Sequence, residues 1–248
     1  ALGKEKADLV IKNAKLINVC TREILDGYDV AVAMGRIAAI GDVSASIGDD
    51  TVVIDGKGKY LAPAFMDGHM HIESSMLTAG EYARAVIPHG TCGIFFDPHE
   101  ICNVIGLSGV KCMLKDAETT PLKAMLTTPS CVPAVPGFED TGSAIHPEDV
   151  KETMKWKECV GLGEMMNFPG IVNSDKHTHD IVGETLDADK AVTGHFSIPE
   201  TGAMLNAYIA AGMNCCHESP PEQSALENMR RGRYAQLRAG SAWHDLEE

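Results

Sequence analysis

The chain has 248 residues, of which 44% are hydrophobic and 23% are charged, a composition typical of a folded globular protein. Its formal net charge of -14 argues against a nucleic-acid partner, since binding to phosphates requires clustered Lys and Arg. No run approaches the roughly 18 apolar residues of a membrane span, so we expect no membrane partner either.

The eight cysteines are scattered along the chain and include no CxxC pair. Free buried thiols behave as small hydrophobic side chains, and a chain of this length does not need disulfides. We therefore expect reduced cysteines and a cytoplasmic location. The adjacent Cys215 and Cys216, beside His217, leave a metal or redox role open, although the structural interpretation is favoured.

Residues 1–60 differ in pattern from the rest of the chain. The segments ADLVIKNAKLINV, YDVAVAMGRIAAIGD and DTVVIDGKGKYLAP are short apolar runs separated by Gly, Asp and Asn. This pattern is typical of small antiparallel β-structure, with a hairpin turn at Met34 and Gly35. We expect a domain boundary near residue 60.

Residues 61–248 alternate between strand and helix candidates. Helix starts are indicated by Thr78 with Glu81, a capping box, and by Pro147 at a first helical position. The segment EICNVIGLSGVKCMLKDAE is predicted as a single helix. The alternation predicts a parallel sheet, and seven units of roughly 20–35 residues predict an α/β fold of the (β/α)8 TIM type, one unit short.

The stretch PAFMDGHMHIESSM places His69 and His71 two residues apart in a predicted strand. Side chains at i and i+2 point to the same side of a strand, and active sites of such barrels lie at the carboxyl ends of the strands. Two imidazoles there make half of a metal site. Taken alone, a His-x-His pair is as often structural.

Polar residues also close the other predicted strands. Asp97 and His99 follow TCGIFF, Glu164 closes CVGLGE, His195 closes AVTGH and His217 closes MNCCH. Unpaired buried charges are strongly unfavourable, so this recurrence requires compensation. A divalent metal or a metal pair would supply it.

The remaining histidines are weaker candidates. His177 and His179 form a second His-x-His pair, but no apolar strand precedes them and on a helix their side chains would diverge. His89 fits the end of a helix, where it favours the dipole. His146 and His244 are predicted to be on the surface.

Five segments together resemble consecutive motifs of the adenine deaminases, a branch of the amidohydrolase superfamily. They are DGHMHIESSML, IPHGTCGIFFDPHEICNVIG, GLGEMMNFPGIVN, LNAYIAAGMNCCHES and RRGRYAQLRAGSAWHDL. The resemblance implies hydrolytic deamination of adenine to hypoxanthine and ammonia by a metal-activated hydroxide, as part of purine salvage. It implies a homodimer, with residues 1–60 as a small β-sandwich segment and residues 61–248 as an amidohydrolase barrel.

The resemblance also implies a binuclear centre of Mn(II) or Fe(II), with Zn(II) as a further option. His69 and His71 would ligate the more buried metal, and His195 and His217 the second. Glu164 would bridge both metals.

Asp97 and His99 would line this site, either near the substrate or as an additional metal position. Together with Glu164 they are the candidate catalytic residues. Glu73 is a candidate for orienting a ligand histidine. The family's proton carrier is an aspartate at the end of strand eight, and that strand is absent from the sequence, so we expect a chain truncated at its C-terminal end.

Cys215 and Cys216 stand where the family often has a Ser-Asp pair, which puts the substrate preference in doubt. Two alternatives remain. The chain could be another amidohydrolase that acts on a cyclic amide or an N-acetyl substrate. It could also be a catalytically inactive metal-binding barrel fragment.

Overall fold

The computed structural model describes residues 2–219, 222–240, 244 and 246. Internal contacts divide the chain into two compact units, Ala1–Ala64 and Phe65–Glu248. The change of sequence pattern predicted this division near residue 60. Within the described ranges, no helix combines the length and the apolar character needed to cross a membrane.

The first unit contains two small sheets, with strand orders β5-β4-β1-β6 and β3-β2-β7. The strands are β1 Leu9–Lys12, β2 Lys15–Asn18, β3 Glu23–Leu25, β4 Asp29–Ala33, β5 Arg36–Gly41, β6 Val52–Asp55 and β7 Tyr60–Leu61. The predicted hairpin is confirmed, since β4 and β5 pair antiparallel around Met34 and Gly35, whose φ angles are 51° and 67°.

The expected antiparallel structure is confirmed for three strand pairs, β1 with β4, β4 with β5 and β2 with β3, and two other pairs depart from it. β6 runs parallel to β1, and β7 runs parallel to β2. Tight hairpins can join only antiparallel neighbours, whereas a strand reached through a longer connection can pair in either direction. The packing of the two sheets as a sandwich stays a prediction.

The second unit alternates strands and helices. Its described strands are β8 Phe65–Met70, β9 Thr91–Phe96, β10 Lys123–Pro129, β11 Cys159–Met165, β12 Ala191–Gly194, β13 Cys215–Cys216 and β14 Tyr234–Ala235. Its described α-helices are α1 Ala79–Val86, α2 His99–Ile105, α3 Leu107–Ala117, α4 Pro147–Thr153, α5 Phe168–Val172, α6 Lys176–Asp187, α7 Ala203–Ala210 and α8 Glu222–Arg230.

The strands of this unit pair in parallel and in chain order. β8 to β12 form one five-stranded sheet, and β13 pairs with β14. A parallel bridge between Val192 and Met213 lies between these two sets. This order fits a partial (β/α) barrel, while the missing eighth strand stays a prediction.

The helices begin largely where the sequence indicated. Thr78 Oγ1 accepts a hydrogen bond from the Glu81 amide at the start of α1, and Pro147 opens α4. The long helix predicted after TCGIFFDPH is instead two helices, α2 and α3, that meet at Gly106. Gly106 has φ 61° and ψ −149°, which a helix cannot accommodate, and a Cβ there would lie 2.5 Å from Ser143 Oγ.

The core of the second unit is built from apolar side chains of the central strands. Ile94, Phe96, Leu126 and Leu162 are fully buried, and Val192 nearly so. Parallel strands packed in this way bring their carboxyl ends to one edge of the sheet. The polar residues that close the strands therefore meet there.

Candidate metal centre

The structure gathers the sequence-predicted site residues at the carboxyl ends of the parallel strands. His69 lies in β8 and Glu164 in β11, and the others directly follow a strand or lie in the next few residues. The gathered residues are His69, His71, Asp97, His99, Glu164, His195 and His217.

Glu164 is buried at the centre of the cluster. Its Oε2 lies 2.5 Å from His217 Nε2, 3.5 Å from His195 Nε2 and 3.6 Å from His69 Nε2. Its Oε1 lies 3.3 Å from His71 Nε2. The two carboxylate oxygens thus face different histidines.

These separations suit ligands that share a metal better than hydrogen bonds. Most of the Glu164 contacts, at 3.3–3.6 Å, are longer than a good hydrogen bond. Two donor atoms about 2.1 Å from one cation lie about 3.0–3.5 Å apart. Among the described residues, His217 Nδ1 and Asp97 Oδ2 are buried without a hydrogen-bond partner, as are both ring nitrogens of His99. Imidazoles around a carboxylate are a donor set that divalent transition metals bind, so the residues fit a metal centre.

Two histidines are held by their Nδ1 atoms. His71 Nδ1 lies 2.7 Å from the Asp97 carbonyl oxygen, which fixes it as the protonated nitrogen. His195 Nδ1 lies 2.5 Å from Ser197 Oγ. In both rings the Nε2 atom faces Glu164, as a ligand nitrogen would.

The structure shows a hydrogen-bonded network around His195 that the sequence pattern did not predict. Ser197 Oγ donates to Glu218 Oε2 at 2.8 Å, and that oxygen lies 3.3 Å from His195 Nδ1. Arg238 Nη1 donates to Glu218 Oε1 at 3.0 Å. The position of Glu218 directly after His217 was the available signal. The side to which its carboxylate turns could not be obtained from strand periodicity.

The carboxylate that faces His71 is Glu100 rather than the predicted Glu73. Glu100 Oε2 lies 3.6 Å from His71 Nδ1. Glu73 Oε1 instead accepts a hydrogen bond from the Ile101 amide at 3.2 Å, in the first turn of α2. A carboxylate at that position satisfies a helix N-terminus.

Asp97 is fully buried behind His69. Its Oδ1 accepts a hydrogen bond from Thr127 Oγ1, and its Oδ2 lies 3.5 Å from His69 Nδ1. The carboxylate occupies the space above Gly163, where a Cβ would lie 2.3 Å from Oδ1. Asp97 therefore contacts a histidine of the cluster from behind and is closed off from solvent.

Burial and the charge of Glu164 set the protonation states of the clustered histidines, some neutral and one protonated. Burial lowers the pKa of His69, His195 and His99, the last to about 4, so these rings are neutral near pH 7. Burial also acts to lower the pKa of His71, but the neighbouring Glu164 carboxylate raises it to about 9. Burial acts to raise the pKa of Glu164, but the close His217 and His71 rings hold it well below its usual range. Neutral imidazoles and an ionised carboxylate are the forms that bind metals.

The histidines and cysteines that were weaker candidates for the metal site take structural positions. His177 and His179 are exposed on α6, and His179 Nε2 lies 2.9 Å from the Ile171 carbonyl oxygen. Cys215 and Cys216 are both buried, and burial raises the pKa of the Cys215 thiol to about 11. A thiol of that kind is protonated near pH 7, which favours the structural role.

A cavity of about 410 Å³ borders the cluster. Its lining includes His69, His71 and His217 together with Gln236 and Arg238. Its volume lies within the range of small-molecule sites.

Comparison with known proteins relates this geometry to a family. Over all of its 248 residues the chain is 65% identical to an adenine deaminase of Clostridium botulinum, and over 246 residues it is 53% identical to one of Moorella thermoacetica. The chain spans 41% of the length of each of these curated relatives.

Among solved structures, an atrazine chlorohydrolase of Arthrobacter aurescens TC1, in complex with zinc, matches with a TM-score of 0.64 at 14% identity. That match covers 93% of this chain and 66% of the other. A Xaa-Pro dipeptidase with bound methionine matches with a TM-score of 0.60 at 13% identity, covering 92% and 66%. At these identities the likeness concerns the fold alone. The family model described as the amidohydrolase family matches residues 60–237, which is more than half of the sequence. The chain therefore belongs to the amidohydrolase family.

Proposed function

We propose that the protein of which this chain is a part deaminates adenine hydrolytically to hypoxanthine and ammonia. The observation that carries the proposal is 65% identity to an adenine deaminase over the full length of the chain. The buried cluster around Glu164 supports it, because the same residues that the resemblance implies as ligands lie together.

Five residues would hold a pair of divalent metals: His69, His71, Glu164, His195 and His217. Metals held by these residues would supply Lewis acidity, the chemistry that makes water a nucleophile near neutral pH. Mn(II) or Fe(II) is our first assignment and Zn(II) the second, because nitrogen donors with a single carboxylate accept all three.

The side chains of this chain would bind the metals and orient the metal-binding rings. Neutral His69 and His195 offer ring nitrogens, while Asp97 and Glu218 hold these two rings from behind. We assign Asp97, predicted as a catalytic residue, to positioning, because its carboxylate is fully buried against His69 and Thr127.

The reaction forms a C–O bond at C6 of adenine and breaks the C–N bond, so a proton must travel from water to the departing nitrogen. The proton carrier that the resemblance implies, an aspartate of an eighth strand, stays a prediction. The adjoining cavity of about 410 Å³ can accommodate a ligand of purine size.

The test measures ammonia and hypoxanthine formed from adenine by protein loaded with Mn(II) under reducing conditions. Metal-free protein and the Glu164→Gln variant serve as controls. Product above both controls supports the proposal. Hydrolysis of a cyclic amide or an N-acetyl substrate, with none of adenine, would replace it by the first alternative. Bound metal with no turnover of any of the three would favour the inactive metal-binding barrel.

We further propose a cytoplasmic, homodimeric protein. All eight cysteines lie in the described part of the chain and are free thiols, as a reducing compartment maintains them. Light scattering coupled to size-exclusion chromatography tests the dimer.

A further inference from the structure

Arg233 is a buried arginine without a carboxylate partner. It directly precedes β14 and is 3% exposed, and it takes part in none of the ion pairs formed among the described residues. A guanidinium stays charged in proteins, and a buried charge is strongly unfavourable unless polar groups surround it. The burial of this side chain therefore requires compensation from neutral polar groups of the protein.

The compensating groups are the carbonyl oxygens at the ends of two strands. Arg233 Nη2 donates to the Cys215 carbonyl oxygen in β13, and to the carbonyl oxygen of Gly194, the last residue of β12, at 3.4 Å. Its Nη1 donates to Asn228 Oδ1 at 2.6 Å, which fixes the guanidinium to α8. Because the guanidinium is a planar and rigid group of donors, it holds these acceptors in one arrangement.

The two strands have little direct pairing at the point where their predicted ligands follow. Within the part of the chain that the structure describes, β12 and β13 belong to different sheets, and a single bridge between Val192 and Met213 joins them. Arg233 connects their backbones two residues beyond that bridge on each strand. His195 directly follows β12 and His217 directly follows β13. The spacing of these two histidines therefore depends on the guanidinium.

Tyr208 holds the neighbouring strand β11 in a similar way. It is fully buried on α7, and the Arg233 guanidinium lies over its ring, 5.1 Å from the centroid. Its Oη donates at 2.5 Å to the carbonyl oxygen of Met165, the residue after Glu164. Gly194 leaves the space for this bond, since a Cβ there would overlap Tyr208 Oη and lie 2.7 Å from the Met165 carbonyl oxygen.

We propose that Arg233 and Tyr208 are positioning residues of the metal centre. Arg233 fixes the carboxyl ends of β12 and β13, and Tyr208 fixes that of β11. The residues held in this way are Glu164, His195 and His217. Backbone ends that are fixed from within the protein set the directions of these side chains before a metal binds, which favours binding. This assignment rests on the proposed metal centre.

The test compares Arg233→Met with Arg231→Met as the matched control. Arg231 donates to Asn206 Oδ1 at 2.9 Å and pairs with Glu227, and none of its bonds among the described residues reaches a strand. Chelator competition measures Mn(II) affinity, and the d–d absorption of Co(II)-loaded protein reports the geometry around the metal. Arg233→Met should bind Mn(II) about 10–100-fold more weakly than wild type and show an altered Co(II) spectrum. Arg231→Met should match wild type in both.

These measurements separate positioning from a role in stability alone. They are made at a temperature at which circular dichroism shows each variant to be folded. A role in stability alone would lower the urea midpoint of Arg233→Met and leave the Mn(II) affinity and the Co(II) spectrum of the folded variant unchanged. That result would overturn the proposal.

Tyr208→Phe covers the case in which Arg233→Met fails to fold. It removes one oxygen atom and keeps the ring against the guanidinium. We expect Mn(II) binding about tenfold weaker than in wild type and an altered Co(II) spectrum, because the Met165 carbonyl loses its partner. Wild-type values in folded Tyr208→Phe would overturn the proposal.

The readouts are also independent of turnover. Wild type that binds Mn(II) without deaminating adenine would refute the proposed function and leave the positioning role standing. Wild type that deaminates adenine, with variants that keep wild-type affinity and spectrum, would refute the positioning role alone. Wild type that binds no Mn(II) would refute the metal centre and the positioning role with it.

Discussion

Replacing Gly163 by alanine should destabilise the second unit through the buried Asp97 carboxylate. The added Cβ would lie 2.3 Å from Asp97 Oδ1 and 2.5 Å from Oδ2, well inside contact distance. The carboxylate is fully buried and held by Thr127 and His69, so it can move only by breaking its hydrogen bond. Overpacking costs about 1–3 kcal/mol and a lost buried hydrogen bond about 1–2 kcal/mol. We expect a total of about 2–5 kcal/mol.

Gly183→Ala provides a matched control that should change the free energy of unfolding in the opposite direction. Gly183 lies within α6, and nothing lies within 4 Å of the position its Cβ would take. Alanine is favoured over glycine in a helix by about 1 kcal/mol, so this variant should be more stable than wild type.

The assay is urea unfolding followed by tryptophan fluorescence. Trp156 packs against the core of the second unit and residues 1–64 contain no tryptophan, so the signal reports on the second unit. We expect the midpoint of Gly163→Ala to fall below wild type and that of Gly183→Ala to rise above it. A Gly163→Ala midpoint equal to or above that of wild type would refute the proposed packing of Asp97 against Gly163.

Three further predictions concern metal binding. Glu164→Gln should lose most of the bound metal, because it removes the charge that four histidine rings face; unchanged metal content would rule out the central role of this carboxylate. Glu218→Gln should weaken metal binding about 10–100-fold, because Glu218 helps to orient His195. Glu222→Gln, at an exposed residue of α8, is the control and should leave metal affinity unchanged. Chelator competition measures both affinities, and equal values for the two variants would contradict the network around His195. Metal binding near pH 7 should release about one proton from His71, whose pKa of about 9 keeps it protonated in the metal-free chain, and the release should vanish as the pH rises above that value. Calorimetry in buffers of different ionisation enthalpy detects this proton, and a heat independent of the buffer would contradict it.

The parts of the site that the sequence predicted are those governed by strand periodicity. His69, Glu164, His195 and His217 follow apolar runs, and parallel strands bring such positions to one edge whatever the details of packing. The helix starts at Thr78 and Pro147 were predicted by a capping residue and by a proline at the first helical position.

The rest depended on side-chain directions that no local pattern contains. Glu73 and Glu100 are both acidic neighbours of predicted site residues, and only the tertiary structure turns Glu100 toward His71 and Glu73 toward the amide of Ile101. The break at Gly106 was missed because a single glycine is tolerated inside a helical pattern. The parallel edge strands β6 and β7 were missed because strand pattern does not contain strand direction.

The cluster around Glu164 draws its histidines from positions 69, 71, 195 and 217, so it exists only once distant parts of the chain have come together. A metal that binds this arrangement and not the unfolded chain stabilises the folded state. At a free concentration about 1,000 times its dissociation constant, one such ion adds about 4 kcal/mol to the free energy of unfolding, which is comparable to the stability of many whole domains. The supply of metal would then govern how much of the protein survives in folded form, before any question of turnover arises.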